Sequence, residues 1–259
     1  MATSYDSPAK LVEGIERDPT LPDGDDERFA GYGVMAAPFA SGDLLAMRRF
    51  PASSLGGGYT TVWHRAPSGE WTIYSDREPL ETCPRYFGSA LTRAVEGPIE
   101  LVWPGPRSLS IDVPGADLRW SLELESTGTT RLLSALGGAM PDGMWRSPGA
   151  LAVLARVAGA MLHAGKLQLA GRAPNGQTFV ANPMLLWTIP SSHAVLAGRD
   201  LGALAPLPEQ VRLGDFWLPQ RGLFAIGRAF FEPFDATRHL LVAQAGPEPR
   251  VEHPPPPPA

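Results

Sequence analysis

The stretch GGYTTVWHRAPSGEWTIYSDREPLETCPRYFG, residues 57–88, decides the fold of this chain. Its segments 59–65 and 71–77 are rich in β-branched and aromatic side chains, which favour strands. Between them lies Pro67-Ser68-Gly69, and Gly69 can adopt the left-handed conformation that a three-residue hairpin loop requires. The stretch therefore predicts a β-hairpin.

The two faces of this hairpin differ in chemistry when Ala66 pairs with Glu70. One face carries most of the polar and ionisable side chains: Thr60, Val62, His64, Thr72, Tyr74 and Asp76. The other face is aromatic and carries Tyr59, Thr61, Trp63, Trp71 and Ile73. We expect the tryptophan face to pack in the core and the other face to line a cavity or to meet a second layer. A one-residue slip would change the cross-strand neighbours.

The first face supplies the candidate catalytic residues His64, Tyr74 and Asp76. A histidine beside a carboxylate can act as a general base, and a tyrosine can act as an acid or orient the substrate. The alternative interpretation is a hydrogen-bonded polar layer between sheets.

A polar turn follows the hairpin and supplies the candidate ligand-binding residues Cys83, Arg85 and Tyr86. Cys83 would be a nucleophile if Arg85 lowered its pKa, but the lack of a histidine nearby in sequence favours a buried structural cysteine. Arg85 and Tyr86 would bind a carboxylate or phosphate of a ligand, or Arg85 would pair with Glu81 or Asp76.

A second polar and aromatic cluster completes the set of ligand-binding candidates. The segment LGDFWLPQRGLF, residues 213–224, contributes Trp217 and Arg221, and the hairpin contributes Trp63. The alternative for this segment is a turn at a strand end with a satisfied ion pair.

Short alternating segments dominate the rest of the chain. Leu118, Trp120, Leu122 and Leu124 alternate with polar residues, which is the pattern of a strand with one buried face. About ten such strands, joined by short turns, predict a mainly β fold. The expected architecture is an antiparallel β barrel or sandwich, lipocalin-like, with a central two-helix insertion.

Three local interpretations bear on the topology. Segment 89–95 has the pattern of a helix. Pro190-Ser191-Ser192 marks a turn between strands at 184–189 and 193–197. Segments 216–219 and 223–231 are expected to be closing strands.

Helical spacing of apolar residues marks the insertion at 128–165. Ser147-Pro148 is a typical helix start and Gly165 a typical stop. The insertion would be core that covers an open end of the barrel, a lid over a cavity for a lipophilic molecule, or a dimer surface. Its adaptable apolar surface is formed by Met140, Met144, Trp145 and Met161.

The domain organisation follows from composition. Residues 1–28 are polar and acidic and are expected to be a flexible N-terminal segment with a short helix at 9–17. The β domain spans 29–245. The proline-rich segment 246–259 is expected to be a disordered tail in polyproline II form.

Composition and charge exclude several functions. A net charge of −5 without a basic patch argues against nucleic acid as a partner. The sole cysteine excludes an intrachain disulfide and a thiolate zinc cluster, and no apolar run is long enough to span a bilayer. The N-terminus lacks the apolar core of a secretion signal, so we expect a cytoplasmic protein. Without dinucleotide, P-loop, esterase or zinc-protease motifs, we expect no cofactor and no metal.

Four stretches, GGGYTTVWHR, CPRYFG, LAGRAPNGQTF and LGDFWLPQRGLF, resemble uncharacterised proteins of GC-rich bacteria. The arrangement of hairpins also resembles lipocalin-like proteins of the carotenoid hydratase (hydroxyneurosporene synthase) type. That resemblance implies a β protein that handles isoprenoid or other lipophilic substrates without an organic cofactor. The chain is similar, too, to the acetoacetate decarboxylase-like β fold. Its only lysines, Lys10 and Lys166, lie far in sequence from the central stretch, which counts against Schiff-base decarboxylation.

Three functions are compatible with these patterns. The first is cofactor-independent conversion of a lipophilic small molecule in an apolar β cavity, by hydration, isomerisation or cyclisation, with His64, Tyr74 and Asp76 as acid–base groups. The second is non-enzymatic carriage of a hydrophobic ligand. The third is a structural role in which the helices form a homodimer face.

Overall fold

The structure of the protein is a computed structural model that describes residues 7–242. The strands are β1 Glu27–Pro38, β2 Leu44–Ser53, β3 Tyr59–Arg65, β4 Trp71–Ser75, β5 Arg93–Glu96, β6 Glu100–Val102, β7 Ser108–Val113, β8 Leu118–Glu125, β9 Ala170–Arg172, β10 Thr178–Leu196, β11 Arg199–Asp200, β12 Arg212–Leu213, β13 Phe216–Trp217 and β14 Leu223–Phe231. The helices are α1 Pro8–Arg17, α2 Pro84–Phe87, α3 Gly128–Ala139, α4 Asp142–Trp145 and α5 Pro148–Met161. The proline-rich tail expected at 246–259 lies outside the described residues.

Ten strands form one curled sheet in the order β5-β4-β3-β2-β1-β14-β10-β8-β7-β6. Neighbouring strands are antiparallel except β4 and β5, which are parallel. β9 and β11 add short pairs to β10, and β12 pairs with β13. The fold is therefore mainly β and largely antiparallel, with helices α3 to α5 inserted between β8 and β9. This confirms the predicted fold class.

The central hairpin forms with the predicted register. His64 of β3 lies opposite Thr72 of β4, and Gly69 adopts a positive φ of 96° in the loop between them. Trp63 packs in a core on one face of the sheet and Val62 packs in a core on the other. Neither face of the hairpin is solvated, because each is covered by other elements.

The prediction of a hairpin around Pro190-Ser191-Ser192 is wrong. The segment is one long strand, β10, whose first half pairs with β14 and whose second half pairs with β8. The proline lies at an irregularity between Thr188 and Ser191, where a residue without an N–H is tolerated in a sheet. The turn chemistry therefore marks a change of partner and not a change of direction.

One further local prediction is also wrong, and another is confirmed for the strands but not for their expected place in the sheet. Segment 89–95 is not a helix; it ends a short 3-10 turn and enters β5, which pairs with β4. Strands do form where closing strands were predicted, β13 within 216–219 and β14 at 223–231, but β13 pairs with β12 outside the main sheet and β14 lies between β1 and β10. These differences arise because strand partners come from distant parts of the chain.

Capping residues fix the starts of the two longer inserted helices. Thr127 accepts a hydrogen bond from the backbone N of Thr130 at 3.1 Å, and Ser147 accepts one from Ala150 N at 3.5 Å. Helix α5 begins at Pro148 as predicted, and the one-turn helix α4 separates it from α3. None of the helices within residues 7–242 is long and apolar enough to cross a membrane.

Helix α1 lies against the sheet, in the segment for which the sequence predicts flexibility. Its Val12 is buried in the core beneath it. Its Glu16 accepts hydrogen bonds from Arg49 Nε and Nη2 at 2.9 and 2.8 Å and from the hydroxyl of Tyr32 at 2.9 Å. The helix is thus anchored by apolar and ionic contacts.

The sheet carries cores on both faces. On the face that we call inner, strands from both halves of the sheet contribute side chains such as Val62, Trp120 and Phe224. The outer face carries two cores: a hairpin core around Trp63, beside α2 and β13, and a helix core around Leu186, beneath α3 and α5. A gap remains between the hairpin core and the helix core.

Candidate functional site

A cavity of about 160 Å³ occupies this gap on the outer face of the sheet. Its roof is formed by helices α3 and α5, and its floor mainly by small or apolar residues of β1, β10 and β14, with Asn182 and the exposed Arg228 among them. The roof residues are Leu133, Gly137, Leu154, Ala155, Ala158 and Leu162. The inserted helices therefore cover an apolar hollow.

Small residues on the strands leave the space for this cavity. In β14, Ala225, Gly227 and Ala229 line the cavity, whereas the alternating Phe224 and Ile226 fill the inner core. Successive side chains of a strand point to opposite faces. One strand can therefore fill a core with one set of residues and leave a hollow with the other.

One cation, Arg48 of β2, is buried in the cavity wall. The central carbon of its guanidinium lies 5.3 Å from the ring centroid of Trp63 and 5.7 Å from that of Phe216, within cation–π range. Its Nη1 and Nη2 atoms donate hydrogen bonds to the backbone carbonyls of Val34, Met35 and Met47. Among the described residues, the side chain of Arg48 is held by aromatic rings and backbone carbonyls, and no carboxylate pairs with it.

The ionisable groups that act most strongly on Arg48 are uncharged at neutral pH. Burial raises the pKa of the Cys83 thiol, and burial raises the pKa of the Tyr59 phenol well above its ordinary value. Burial also lowers the pKa of Arg48 to about 10, so the guanidinium keeps its charge near neutrality. Within residues 7–242, the cavity wall thus holds a positive charge without an anion.

An aromatic and a polar side chain flank the cavity beside β13. Trp217, one of the ligand-binding candidates, lines the cavity and is half-buried, and Lys166 Nζ lies 4.4 Å from its ring centroid. Gln168 lines the same wall. Of the predicted ligand-binding residues, Trp217 lines the cavity directly, and Trp63 contacts Arg48 from the hairpin core.

The structure does not bring the three candidate catalytic residues together. His64, Tyr74 and Asp76 share the inner face, opposite to the cavity, and no hydrogen bond joins any two of them. Asp76 lies opposite Thr60, four residues from His64, which corresponds to about 13 Å along the strand. Their joint catalytic role therefore stays a prediction.

His64 binds a carboxylate that sequence reasoning missed, that of the fully buried Asp43. His64 Nε2 lies 2.7 Å from Asp43 Oδ1, and Arg199 donates to the two carboxylate oxygens at 2.8 and 3.1 Å. Burial alone would raise the pKa of Asp43, but the hydrogen bonds from Arg199 and His64 hold it below its ordinary value. The cluster ties together β3, β11 and the residue that precedes β2.

Tyr74 and Asp76 have other surroundings. Asp76 Oδ1 accepts a hydrogen bond from the backbone N of Thr60 at 2.7 Å. Asp76 and Thr60 line an open cleft beside α1. Tyr74 packs against the inner core, and burial raises the pKa of its phenol. Among the described residues, no group of three or more His, Cys, Asp or Glu side chains is placed to hold a metal ion.

Arg85 and Tyr86 bind Glu27 of β1. Arg85 Nη2 and Nε donate hydrogen bonds to the carboxylate of Glu27 at 2.7 and 3.3 Å. The hydroxyl of Tyr86 donates to the same carboxylate at 2.5 Å, and Gln177 Nε2 donates to it at 3.0 Å. Burial would raise the pKa of Glu27, but these bonds, led by that of Arg85, lower it. Four donors on one carboxylate leave Arg85 and Tyr86 engaged within the protein.

The remaining ligand-binding candidates also lie outside the cavity wall. Cys83 Sγ accepts a hydrogen bond from Thr61 Oγ1 at 3.4 Å inside the hairpin core. Arg221 is exposed, and its Nη1 donates to the carbonyl of Leu162 at 3.3 Å, just after α5. Cys83 is thus a buried thiol, and Arg221 contacts the C-terminal end of the helix that roofs the cavity.

Tyr86→Phe is expected to lower the free energy of unfolding by about 1.5 kcal/mol. The change removes the hydroxyl that donates to Glu27 and keeps the ring, which stacks on Phe231 at a centroid distance of 3.7 Å. Urea denaturation measures the loss. Unchanged stability combined with weakened ligand binding would instead show that Tyr86 contacts the ligand.

Sequence reasoning missed Arg48, Asp43 and Glu27. A signal for the first was present in β2, LLAMRRFPAS, where Arg48 and Arg49 are adjacent within an otherwise apolar strand. Since neighbouring side chains of a strand point to opposite faces, a strand covered on both sides must bury one member of such a pair. The pattern does not say which arginine lies beside a carboxylate.

The fold and the site together define a mainly β protein with an apolar cavity that contains a buried cation. No family model matches the chain, and no curated protein matches it. Among solved structures, the chain is similar to one from a structural study of acetoacetate decarboxylase, with 14% identity, a TM-score of 0.38 and coverage of 88% of this chain and 93% of that one. It is also similar to acetoacetate decarboxylase from Legionella pneumophila subsp. pneumophila str. Philadelphia 1, with 12% identity, a TM-score of 0.36 and coverage of 86% and 89%.

Proposed function

We propose that the protein binds a lipophilic small molecule in the cavity between the sheet and helices α3 and α5. The observation that supports this proposal is the hollow itself, which two helices roof and small residues floor. Protein interiors are otherwise close-packed, and an apolar hollow gains free energy when an apolar ligand fills it.

The volume of the cavity limits the size of the ligand. The observed value of about 160 Å³ is close to the roughly 150 Å³ of an engineered apolar cavity that binds benzene. The ligand, or the part of it that enters, therefore has the size of one ring or of a short branched chain. An isoprenoid of the kind implied by the resemblance to carotenoid hydratases would insert one end.

The lining favours binding over acid–base conversion. Among the described residues it contains no His, Asp or Glu side chain, and its buried cation, Arg48, keeps its proton at neutral pH. Hydration, isomerisation or cyclisation by His64, Tyr74 and Asp76 would require a substrate on the inner face. Binding or carriage of a hydrophobic ligand is therefore the function that we propose first.

Ala158→Phe is expected to abolish ligand binding without unfolding the protein. Ala158 is buried on the cavity side of α5, so a phenyl ring there would occupy the space of the ligand. A ring-sized probe, toluene or benzoate, should raise the melting temperature of the wild-type protein, because binding to the folded state alone stabilises it. The probe should leave the melting temperature of the variant unchanged in differential scanning calorimetry.

Ala160→Phe is the matched control, because Ala160 belongs to the same helix but is exposed. This variant should keep the response of the wild type to the probe. If both variants respond as the wild type does, the probe binds outside the cavity. If neither toluene nor benzoate shifts the melting temperature of the wild type, the proposed function is wrong.

A further inference from the structure

We infer that the ligand of the cavity is a small carboxylate with an apolar body, and that Arg48 binds its anionic head. The inference rests on the proposed function, since it assigns a chemical class to the molecule that the cavity would hold. Its basis is the juxtaposition of a buried guanidinium with an apolar hollow.

Two other arginines of the protein each bind a carboxylate, whereas Arg48 has no such partner among the described residues. Arg49 binds the carboxylate of Glu16 through Nε and Nη2, at 2.9 and 2.8 Å. Arg85 binds Glu27 through the same two atoms, at 3.3 and 2.7 Å. Both use the planar edge of the guanidinium that matches the two oxygens of a carboxylate.

The same edge of Arg48 has no anion among the described residues. A guanidinium carries five N–H donors, and the backbone carbonyls take two from Nη1 and one from Nη2. The Nε atom makes no hydrogen bond with residues 7–242, and Nη2 has a second hydrogen. A carboxylate that entered the cavity could therefore bind these donors without displacing the three carbonyl contacts.

The charge of Arg48 gives a ligand carboxylate a clear advantage over a neutral group. A buried cation is costly unless an anion compensates it, and neighbouring Cys83 and Tyr59 hold their protons. Glu16, the carboxylate that pairs with the adjacent Arg49, lies on the opposite face of the sheet. A bound anion would supply the missing charge in a site where water screens little.

The other walls define the rest of the ligand. Trp63 and Phe216 lie against the guanidinium and restrict its orientation. Residues such as Leu186 and Ala225 make most of the remaining floor apolar, while Asn182 and the exposed Arg228 also line it, so the body of the ligand is mainly apolar. Within about 160 Å³, the class is a monocarboxylate of one aromatic ring or of a short branched chain.

Benzoate and nitrobenzene test the inference in the full chain, because they have nearly the same shape and differ in charge. The wild type should bind benzoate about 30-fold more tightly than nitrobenzene in isothermal titration calorimetry. Arg48→Met should bind benzoate about 30-fold more weakly than the wild type and nitrobenzene as well as before. Arg48→Lys keeps the charge but loses the planar edge, so its benzoate affinity should fall between the two.

Arg49→Gln is the matched control, since it removes the neighbouring arginine that faces the opposite side. It should keep the preference for benzoate, and circular dichroism confirms that each variant is folded. Equal affinities of the wild type for both probes would overturn the inference and leave the proposed function standing. Binding of neither probe would overturn both. A preference for benzoate that survives in Arg48→Met would overturn the role of Arg48.

Discussion

Gly33→Ala is expected to lower the free energy of unfolding by about 4 kcal/mol or more, a large part of the stability of a typical domain. A Cβ atom on Gly33 would lie 2.2 Å from the carbonyl oxygen of Met47 in β2. That oxygen belongs to the backbone of a central strand, so it cannot move aside as the end of a side chain would. Circular dichroism in urea measures the loss.

The close approach of the two strands has a cause in their pairing. The register of β1 against β2 shifts on both sides of Gly33, and such irregularities bend a strand and increase its twist. The sheet curls where the strands approach, and the cavity lies on the outer face of the same region. The glycine is thus required by the curvature that shapes the site.

Gly138→Ala is the matched control for this substitution. Gly138 lies in α3, and a Cβ atom there would have no heavy atom within 4 Å. Because alanine is the better helix former, this change should raise the stability by about 0.5–1 kcal/mol. If Gly33→Ala proved as stable as the wild type, β1 and β2 could not lie as close together as the structure has them.

Much of the secondary structure could be predicted, because it depends on local patterns. Strand β8 alternates buried and exposed residues along its whole length, and that alternation is visible in its sequence. Ser147-Pro148 starts α5 because both residues satisfy the needs of a helix N-terminus without help from the rest of the chain. The prediction of the central hairpin was confirmed for the same reason, since its loop contains the glycine that fixes the register.

The choice of strand partners could not be predicted in the same way. Pro190-Ser191-Ser192 has turn chemistry, and only the presence of β8 and β14 on the two sides of β10 makes the strand continue through it. The parallel pairing of β5 with β4 likewise depends on tertiary contacts. Contacts with strands that are distant in sequence determine these features and override the local propensity.

The candidate site was predictable in its apolar part and not in its charge. A lid over a cavity was one of three interpretations of the helical insertion, beside core and a dimer surface, and α3 and α5 do roof a cavity. The hypothesis about His64 looked for a carboxylate in the same hairpin, whereas its partner Asp43 is 21 residues upstream. Arg48 was missed because its significance lies in the absence of an acidic partner among the described residues, which a sequence does not display.

Asp43→Asn is expected to lower the free energy of unfolding by about 3 kcal/mol at neutral pH. Asp43 is fully buried and accepts hydrogen bonds from His64 and from both Nη atoms of Arg199. The amide keeps the shape of the side chain but cancels its charge and turns one acceptor into a donor, which then faces other donors. Urea denaturation of the purified variant gives the difference.

Asp200→Asn provides the comparison, because it makes the same change in an exposed pair. The side chains of Asp200 and His193 are 61% and 66% exposed, and His193 Nε2 lies 3.6 Å from Asp200 Oδ2. An exposed pair of this kind contributes little, so the loss should stay below about 0.5 kcal/mol. A similar loss in both variants would mean that the buried position of Asp43 does not matter.

The pH dependence separates an ionic role of Asp43 from a purely steric one. Its pKa is lowered in the folded protein, so its ionised form stabilises the fold above the ordinary carboxyl pKa, and this contribution is lost as the pH falls through the lowered value. The stability difference between the wild type and Asp43→Asn should therefore shrink as the pH is lowered from neutral to about 3. A difference that stayed constant would show that the cluster of His64, Asp43 and Arg199 is held by shape, and that the carboxylate charge contributes nothing to it.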